Sequence, residues 1–315
     1  MAIKHPSFRL VVNGNDVTSS LKKYILGIEY TDDVDNEADG FTIRFQGEAF
    51  NPPSYKDVLK VWLGYEGDLW HIGSFSVLKS RIEYETMEVS VTATPVNFST
   101  QIKEKRTTSY ENASLNQVLG KIAKRHDLSV KNSFDDHFFT HKSQSDESDL
   151  AFMRRLASEM GATFAIKNDT ILFRPKKGGD KESELPSFSV DAGRTKDLYL
   201  EQLDKTQYSA AKASWQSTKE NKVMSVTVGN GSPVLNVHGT FQNEAEARIK
   251  AKAKLAEANR GTVRGGFEHE GTNIIAGGKV VIKNLPRSWG SEFSIRQVRH
   301  SWNDKGYIVK VEFES

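Results

Sequence analysis

Five groups of side chains in this sequence have types and spacings that chemistry uses. The stretch Asp33-Val-Asp-Asn-Glu-Ala-Asp-Gly40 sets acids at alternating positions, as a calcium loop does. An EF-hand loop also needs a bidentate acid at its twelfth position and helices on both sides. Here Phe41-Thr-Ile-Arg-Phe45 alternates as a strand, so a solvated acidic loop is the expectation. Asp135, Asp136 and His137, with His141 four residues on, offer metal-ligand atoms. The zinc-protease motif wants glutamate directly after the first histidine. Phe138 stands there, and with Phe139 it points to surface packing instead. Glu83 with Glu85, and Glu268 with Glu270, each put two carboxylates on one strand face. Glycosidases hold such pairs about 5–10 Å apart across a cleft, but neighbouring acids recur on any solvated strand. Arg248, Lys250, Lys252 and Lys254 form a basic run that a nucleic acid would attract. Glu244 and Glu246 precede it, however, and acids first with cations later suits a helix dipole. Trp62, Trp70, Trp215, Trp289 and Trp302 would serve a sugar platform or, as is commoner in β-domains, core and interface.

Other chemistry is excluded more firmly. The 315 residues contain no cysteine, so disulfides, thiolate metal sites and cysteine nucleophiles are absent. No G-x-S-x-G, P-loop or G-x-G-x-x-G fingerprint occurs. No catalytic, cofactor-binding or metal residue is assigned, and no cofactor is expected. The net charge of +2 does not mark a nucleic-acid binder. The N-terminus lacks the apolar core of a secretion signal, and no run approaches the roughly 20 apolar residues that cross a bilayer. Synthesis in the cytoplasm is expected.

The elements that would carry these groups are mostly strands. Residues 7 to about 104 alternate apolar and polar in short runs: Phe8, Leu10, Val12; Phe41, Ile43, Phe45; Phe75, Val77; Val89, Val91. Near residue 105 the period changes. Leu115, Val118, Leu119 and Ile122 lie on one helix face behind a Ser114/Gln117 capping box. A second helix is expected over Asp149 to Met160 with Gly161 as its left-handed stop. A hairpin turning at Asn168-Asp169 follows, with Phe164 opposite Phe173 and Ile166 opposite Ile171. Lys176 to Glu182 reads as a linker. Strands resume near 186, interrupted by a helix from Glu244 to Asn259 with Asn243 as N-cap and Gly261 as stop.

The two β regions echo one another. Trp70, Phe75-Ser-Val-Leu-Lys-Ser-Arg-Ile82 and Val89-Ser-Val91 match Trp289, Phe293-Ser-Ile-Arg-Gln-Val-Arg-His300 and Val309-Lys-Val311 in order. The expected fold is therefore mainly β with an α+β insert. Two similar β-barrel domains, 1–104 and 183–315, would flank a small helix-helix-hairpin module and linker, 105–182.

At this point the chain resembles the phage late control D family of tail baseplate hub proteins, related to the hub part of type VI secretion spike proteins. The resemblance rests on Val11 to Thr18, Tyr30 to Phe45, the helix at Glu244, and the closing Ile295 to Tyr307. Its most specific part is Gln144-Ser-Asp-Glu-Ser-Asp-Leu-Ala-Phe-Met-Arg-Arg-Leu-Ala-Ser-Glu-Met-Gly161. It implies a structural, non-enzymatic part of a contractile tail or tailocin baseplate. Three copies would adapt the hexameric tail tube to a trimeric spike. The implied partners are tube protein, spike and other baseplate proteins, with no specific nucleic-acid recognition and no stable membrane insertion. Type VI spike proteins continue into a β-helical needle; this chain stops at Ser315, so a separate spike protein is expected. A tail-associated cell-wall hydrolase and a carbohydrate-binding adsorption protein are the rival readings.

Overall fold

The computed structural model describes residues 5–34, 40–47, 52–96, 100–132, 134, 137–167, 170–175, 187–204, 206–217, 221–239, 241, 243–259, 261–286 and 289–315. The expected turn at 168–169 and the linker at 176–182 lie outside them.

The chain opens with β1 (Pro6–Val12), β2 (Asn15–Asp16), a short α1 (Thr18–Leu21), β3 (Ile25–Asp33), β4 (Gly40–Gln46), β5 (Val58–Tyr65), β6 (Asp68–Glu83) and β7 (Glu88–Pro95). Then come α2 (Thr100–Lys103), β8 (Lys105–Ser114), α3 (Leu115–Arg125), β9 (Ser129–Asn132), β10 (Phe138–Ser148), α4 (Asp149–Met160), β11 (Ala162–Lys167) and β12 (Thr170–Pro175). The last part holds β13 (Ser187–Asp191), β14 (Lys196–Gln202), β15 (Ala210–Ser217), β16 (Lys222–Gly229), β17 (Val234–Val237), α5 (Glu244–Asn259), β18 (Val263–Glu270), β19 (Lys279–Lys283), β20 (Glu292–Asn303) and β21 (Gly306–Glu314).

These elements pack into two compact units. The first comprises residues 1–101, 184–201 and 265–314; the second comprises 102–183, 202–264 and Ser315. The stretch after residue 183 is thus shared between them.

The first unit is built on one 13-stranded sheet. Its path runs β14-β18-β21-β20-β3-β4-β7-β6-β5-β1-β2, with β19 beside β20 and β13 beside β19. The path contains the same order twice. β1-β5-β6-β7-β4-β3 is repeated as β13-β19-β20-β21-β18-β14. The repeat extends to detail. β6 bulges between Val77 and Lys79 against β7, and β20 bulges between Ile295 and Gln297 against β21. The loop bonds at these points also match: Lys56 N–H to Val77 O and Val77 N–H to Asp57 O, against Gly277 N–H to Ile295 O and Ile295 N–H to Gly278 O. One strand departs: β1 pairs antiparallel with β5, whereas β13 pairs parallel with β19.

Two closed barrels do not form among the described residues. β20 is long enough to serve β19 with its first residues and β3 with Gln297 to Trp302. That second pairing sews the two repeats into one open, branched sheet whose terminal strands are β14, β2 and β13. Alternating side chains line its core, with Phe41 stacked on Phe75 at 4.9 Å and Phe293 tilted on Phe313 at 4.9 Å.

The second unit contains the expected helices and hairpin. Ser114 caps α3 in a full capping box, and Leu115, Val118, Leu119 and Ile122 are all buried. Gly161 ends α4 at φ 67°. The β11–β12 register pairs Phe164 with Phe173 and Ile166 with Ile171, as expected. The module is larger than a helix-helix-hairpin, because β8 and β10 pair antiparallel around α3, and β9 joins β12 in parallel. α5 lies on the β16-β15-β17 sheet through Ala247 and Ala251, which pack with Ala211, Ala213, Trp215, Val226 and Phe241. Small side chains on both surfaces let helix and sheet approach closely.

Candidate functional site

The most concentrated chemistry in the second unit gathers on Glu147-Ser148-Asp149, where β10 turns into α4. Ser148 is the N-cap, its hydroxyl accepting the Ala151 N–H at 3.1 Å. Asp149, the first helical residue, is fully buried. It accepts from Arg125 Nη1 at 3.0 and 3.1 Å and from Gln144 Nε2 at 2.9 Å. His126 Nε2 lies 2.8 Å from it and Arg106 Nε 3.4 Å. Arg125 also donates to the Tyr110 hydroxyl at 2.9 Å. Burial raises the Tyr110 pKa, against the pull of that guanidinium. A charge without water is tolerated only when paired and hydrogen-bonded, and this carboxylate has partners on every side. The cluster joins the C-terminal end of α3 to the start of α4.

A second network runs along the outside of α4. Arg155 holds Glu147 through Nε and Nη2, the latter at 2.8 Å, and reaches Glu159 at 2.9 Å. Lys142 on β10 pairs with the same Glu159. Burial opposes ionisation of Glu159, yet Lys142 and Arg155 hold its pKa below the usual range. The motif residues are therefore occupied with one another, and they pin β10, α3 and α4 together. Sequence reading identified the motif but not this cluster. Arg106, Arg125 and His126 lie too far along the chain for a spacing rule to connect them to Asp149.

The other candidates fare as follows. Residues 35–39 of the acidic loop and residues 135 and 136 lie outside the described ones. His137 and His141 line a pocket with Phe138, Phe139, Arg155 and Glu246, and His141 Nδ1 faces Glu111. No group of three or more metal-ligating side chains occurs among the described residues. Glu83 pairs with Arg81 at 2.7 Å. Glu268 sits between Lys196 at 2.8 Å and Lys310 at 2.7 Å, which depress its pKa to about 2. A carboxylate held so low is a poor general acid. On α5, Arg248 pairs with Glu244, Lys250 with Glu246 and Lys254 with Glu257. All five tryptophans are at least half-buried, and Trp302 packs edge-on against Phe8 at 5.0 Å. Among the described residues no helix is long and apolar enough to cross a membrane.

The fold is that of phage tail proteins. The tail protein from Neisseria meningitidis MC58 has the same fold, with a TM-score of 0.72 and 13% identity, covering 99% of this chain and 97% of that one. An Escherichia coli component of the type VI secretion system, described as similar to T4 tail proteins, superposes with a TM-score of 0.59 at 16% identity, over 92% of this chain and 73% of the other.

Sequence comparison narrows the class. The model of the family described as phage tail baseplate hub matches residues 81–306. The probable baseplate hub protein of Escherichia phage 186 is 28% identical over 69% of this chain and 58% of its own length. That of Escherichia phage P2 is 25% identical over 86% and 72% respectively. The chain belongs to the phage tail baseplate hub family, whose place is the baseplate of virions and tail-like particles, as the motif at Glu147 to Gly161 implied. The match spans less than two thirds of the phage 186 relative.

Proposed function

We propose that the chain is a trimeric symmetry adaptor without enzymatic activity. Three copies form a ring whose six β repeats meet a hexameric tail tube, and the ring's other end meets a trimeric spike supplied by a separate protein. The observation that carries this reading is the strand order of the first unit, β1-β5-β6-β7-β4-β3 followed by β13-β19-β20-β21-β18-β14. A sixfold tube end offers six equivalent positions. Three chains fill them only if each presents two like surfaces, as cyclic closure requires. The two repeats differ in the direction of β1 and β13, so they are alike without being interchangeable. That difference suits a ring whose true symmetry is threefold.

The charged groups support a mechanical role. Asp149, Glu147, Glu159 and Glu268 are each paired with cations, and those cations hold the pKa of Glu159 and of Glu268 down, whereas a general acid needs it raised. The test is a reconstruction of the assembled particle with copies of this chain counted. Three copies per baseplate, with both repeats on the tube side, is the expected result; six copies would overturn the reading. Cell-wall degradation lost on Glu85→Gln or Glu270→Gln would restore the hydrolase alternative.

A further inference from the structure

The repeat inside the first unit exposes an imbalance. In the second repeat, the far half of β20 is paired on both sides, to β21 and to β3. In the first repeat, the equivalent half of β6, from Leu78 to Glu83, is paired to β7 only, because the ladder with β5 ends at the Val58–Ser76 pair. Likewise β3 is flanked by β4 and β20, whereas its counterpart β14 ends the sheet beside β18. Among the described residues, one half-junction of each kind is thus left open. Open strand edges are aggregation hazards that folded proteins ordinarily cover or blunt.

Side chains along the two edges follow the same logic. Matching Val77 and Ala93 to Ile295 and Phe313 through their pairings places Ile82 where His300 stands. Ser315 N–H bonds Val263 O, and Leu203 N–H bonds Thr262 O. Stepping along these ladders sets Gly265 beside Phe313 and Leu200 beside Gly265, which places Leu200 where Tyr30 stands. A Cβ on Gly265 would touch both the Phe313 ring and the Tyr199 carbonyl, in keeping with that register. At the complete junction, His300 and Tyr30 are opposite one another, stacked at 5.6 Å and buried. Their counterparts are Ile82, 42% exposed, and Leu200, half-buried. One step on, buried Trp302 faces Ile28, and the counterparts are Tyr84, 81% exposed, and Leu198. On the opposite face, Arg299 opposes Thr31. Their counterparts are Arg81 and Glu201, a charge-complementary pair.

We propose that β6 beyond Val77 pairs antiparallel with β14 of a second copy of this chain, in the register of β20 on β3, so that Ile82 lies opposite Leu200 and Arg81 opposite Glu201. The contact is head-to-tail. Each copy offers one β6 edge and one β14 edge, so repetition builds a ring when the rotation from copy to copy closes, as the threefold ring proposed above requires. A loop bond carries over too: Ala276 N–H donates to Asp32 at 2.8 Å, and the corresponding groups are Tyr55 N–H and the Gln202 side-chain oxygen. The proposal rests on the reading that copies of the chain assemble in a ring, and adds which strands join and how.

The natural absence of cysteine makes the test clean. Directly opposed residues on antiparallel strands have Cα atoms about 4.5–5.5 Å apart, within disulfide range. Ile82→Cys with Leu200→Cys, carried in assembled particles and oxidised, is expected to give covalent dimers and trimers on denaturing gels. Ile82→Cys with Lys196→Cys, four residues out of register, is expected to give at least tenfold less. Ile82→Asp changes an exposed side chain in the single copy, so its melting temperature should stay within 1–2 °C while particle incorporation is lost. Equal crosslinking by both cysteine pairs, no crosslinking in particles that hold the protein, or normal incorporation of Ile82→Asp would each overturn the junction. Particles with three copies and no crosslink sink the junction alone. A covalent ladder closing at six keeps the junction and sinks the trimer.

Discussion

Replacing Asp149 by alanine tests whether the ion cluster is what holds β10, α3 and α4 together. The carboxylate is completely buried and carries bonds from Arg125 and Gln144, with His126 and Arg106 beside it. Removing one partner of a buried pair costs about 3–5 kcal/mol, since the remaining charge is left without compensation. Two features move the figure in opposite directions. The Arg106 and Arg125 side chains are each 30% exposed and regain some water, which lowers it. The buried Gln144 amide loses an acceptor and the first turn of α4 loses its acid, terms of about 1–3 and 0.3–1 kcal/mol. The net expectation is about 3–4 kcal/mol, or roughly 6–16 °C in the transition of the second unit at 2–4 °C per kcal/mol. Asp149→Asn keeps the shape and an acceptor for Gln144, so it should cost less than alanine. Urea unfolding followed by far-ultraviolet circular dichroism measures both. The double variant with Arg125→Ala should show a coupling of about 1–3 kcal/mol. A loss below 1 kcal/mol for Asp149→Ala, or additive single variants, would refute the argument that this cluster fastens the helices.

Glu268 gives a pH test. Its pKa is depressed to about 2 by Lys196 and Lys310, so its contribution is complete above the ordinary carboxylate value of about 4.3 and is lost as pH falls toward 2. Denaturant titrations at pH 5 and pH 3 should therefore show a smaller acid loss in Glu268→Gln than in the parent. Gly161→Ala should destabilise by about 1–3 kcal/mol, because its φ is 67° and a Cβ would lie 2.9 Å from the Ala253 Cβ; a change under 0.5 kcal/mol in a melt would contradict the close approach of α4 and α5. Phe173→Ala should cost about 3–5 kcal/mol through lost burial and a cavity, since the ring is fully buried. Phe164→Ala should cost less than half of that, its side chain being only half-buried although it lies opposite Phe173 on the same face, and equal losses would show that Phe164 is as deeply packed as Phe173.

The helices were legible because their signals are local. Leu115, Val118, Leu119 and Ile122 recur with the helical period, and Ser114 and Gln117 cap them within one turn. The β11–β12 hairpin was legible for the same reason, pairing residues only a few positions apart. β8 and β10 escaped because their ladder spans α3 and β9, and because they carry almost no apolar alternation. In Lys105–Ser114 only Tyr110 and Ala113 are buried, and in Phe138–Ser148 the buried side chain is Gln144. Their backbone bonds, not a greasy face, make them strands. The Asp149 cluster was hidden by a similar distance, its motif being plain and its partners remote.

The repeat shows where such reading stops. Phe75, Val77, Val89 and Val91 match Phe293, Ile295, Val309 and Val311 because each hairpin must fill the same core behind the same bulge. That demand is internal to one repeat, so it leaves a mark that one sequence can reveal. The pairing of β20 with β3 is a relation between repeats, and nothing in either strand alone announces it. Expecting two closed barrels followed from treating each repeat as self-sufficient. The side chains disagree in one respect: Ile82 and Tyr84 are apolar where a solvated turn would favour polar residues, and their counterparts His300 and Trp302 are buried against a neighbouring strand. A position that is buried in one copy of a motif and carries an exposed apolar or aromatic side chain in the other marks a surface suited to a partner outside the single chain. By that reasoning the exposed end of β6 belongs to the same class of interface as the buried end of β20, and the difference between them is only whether the partner strand is covalently attached.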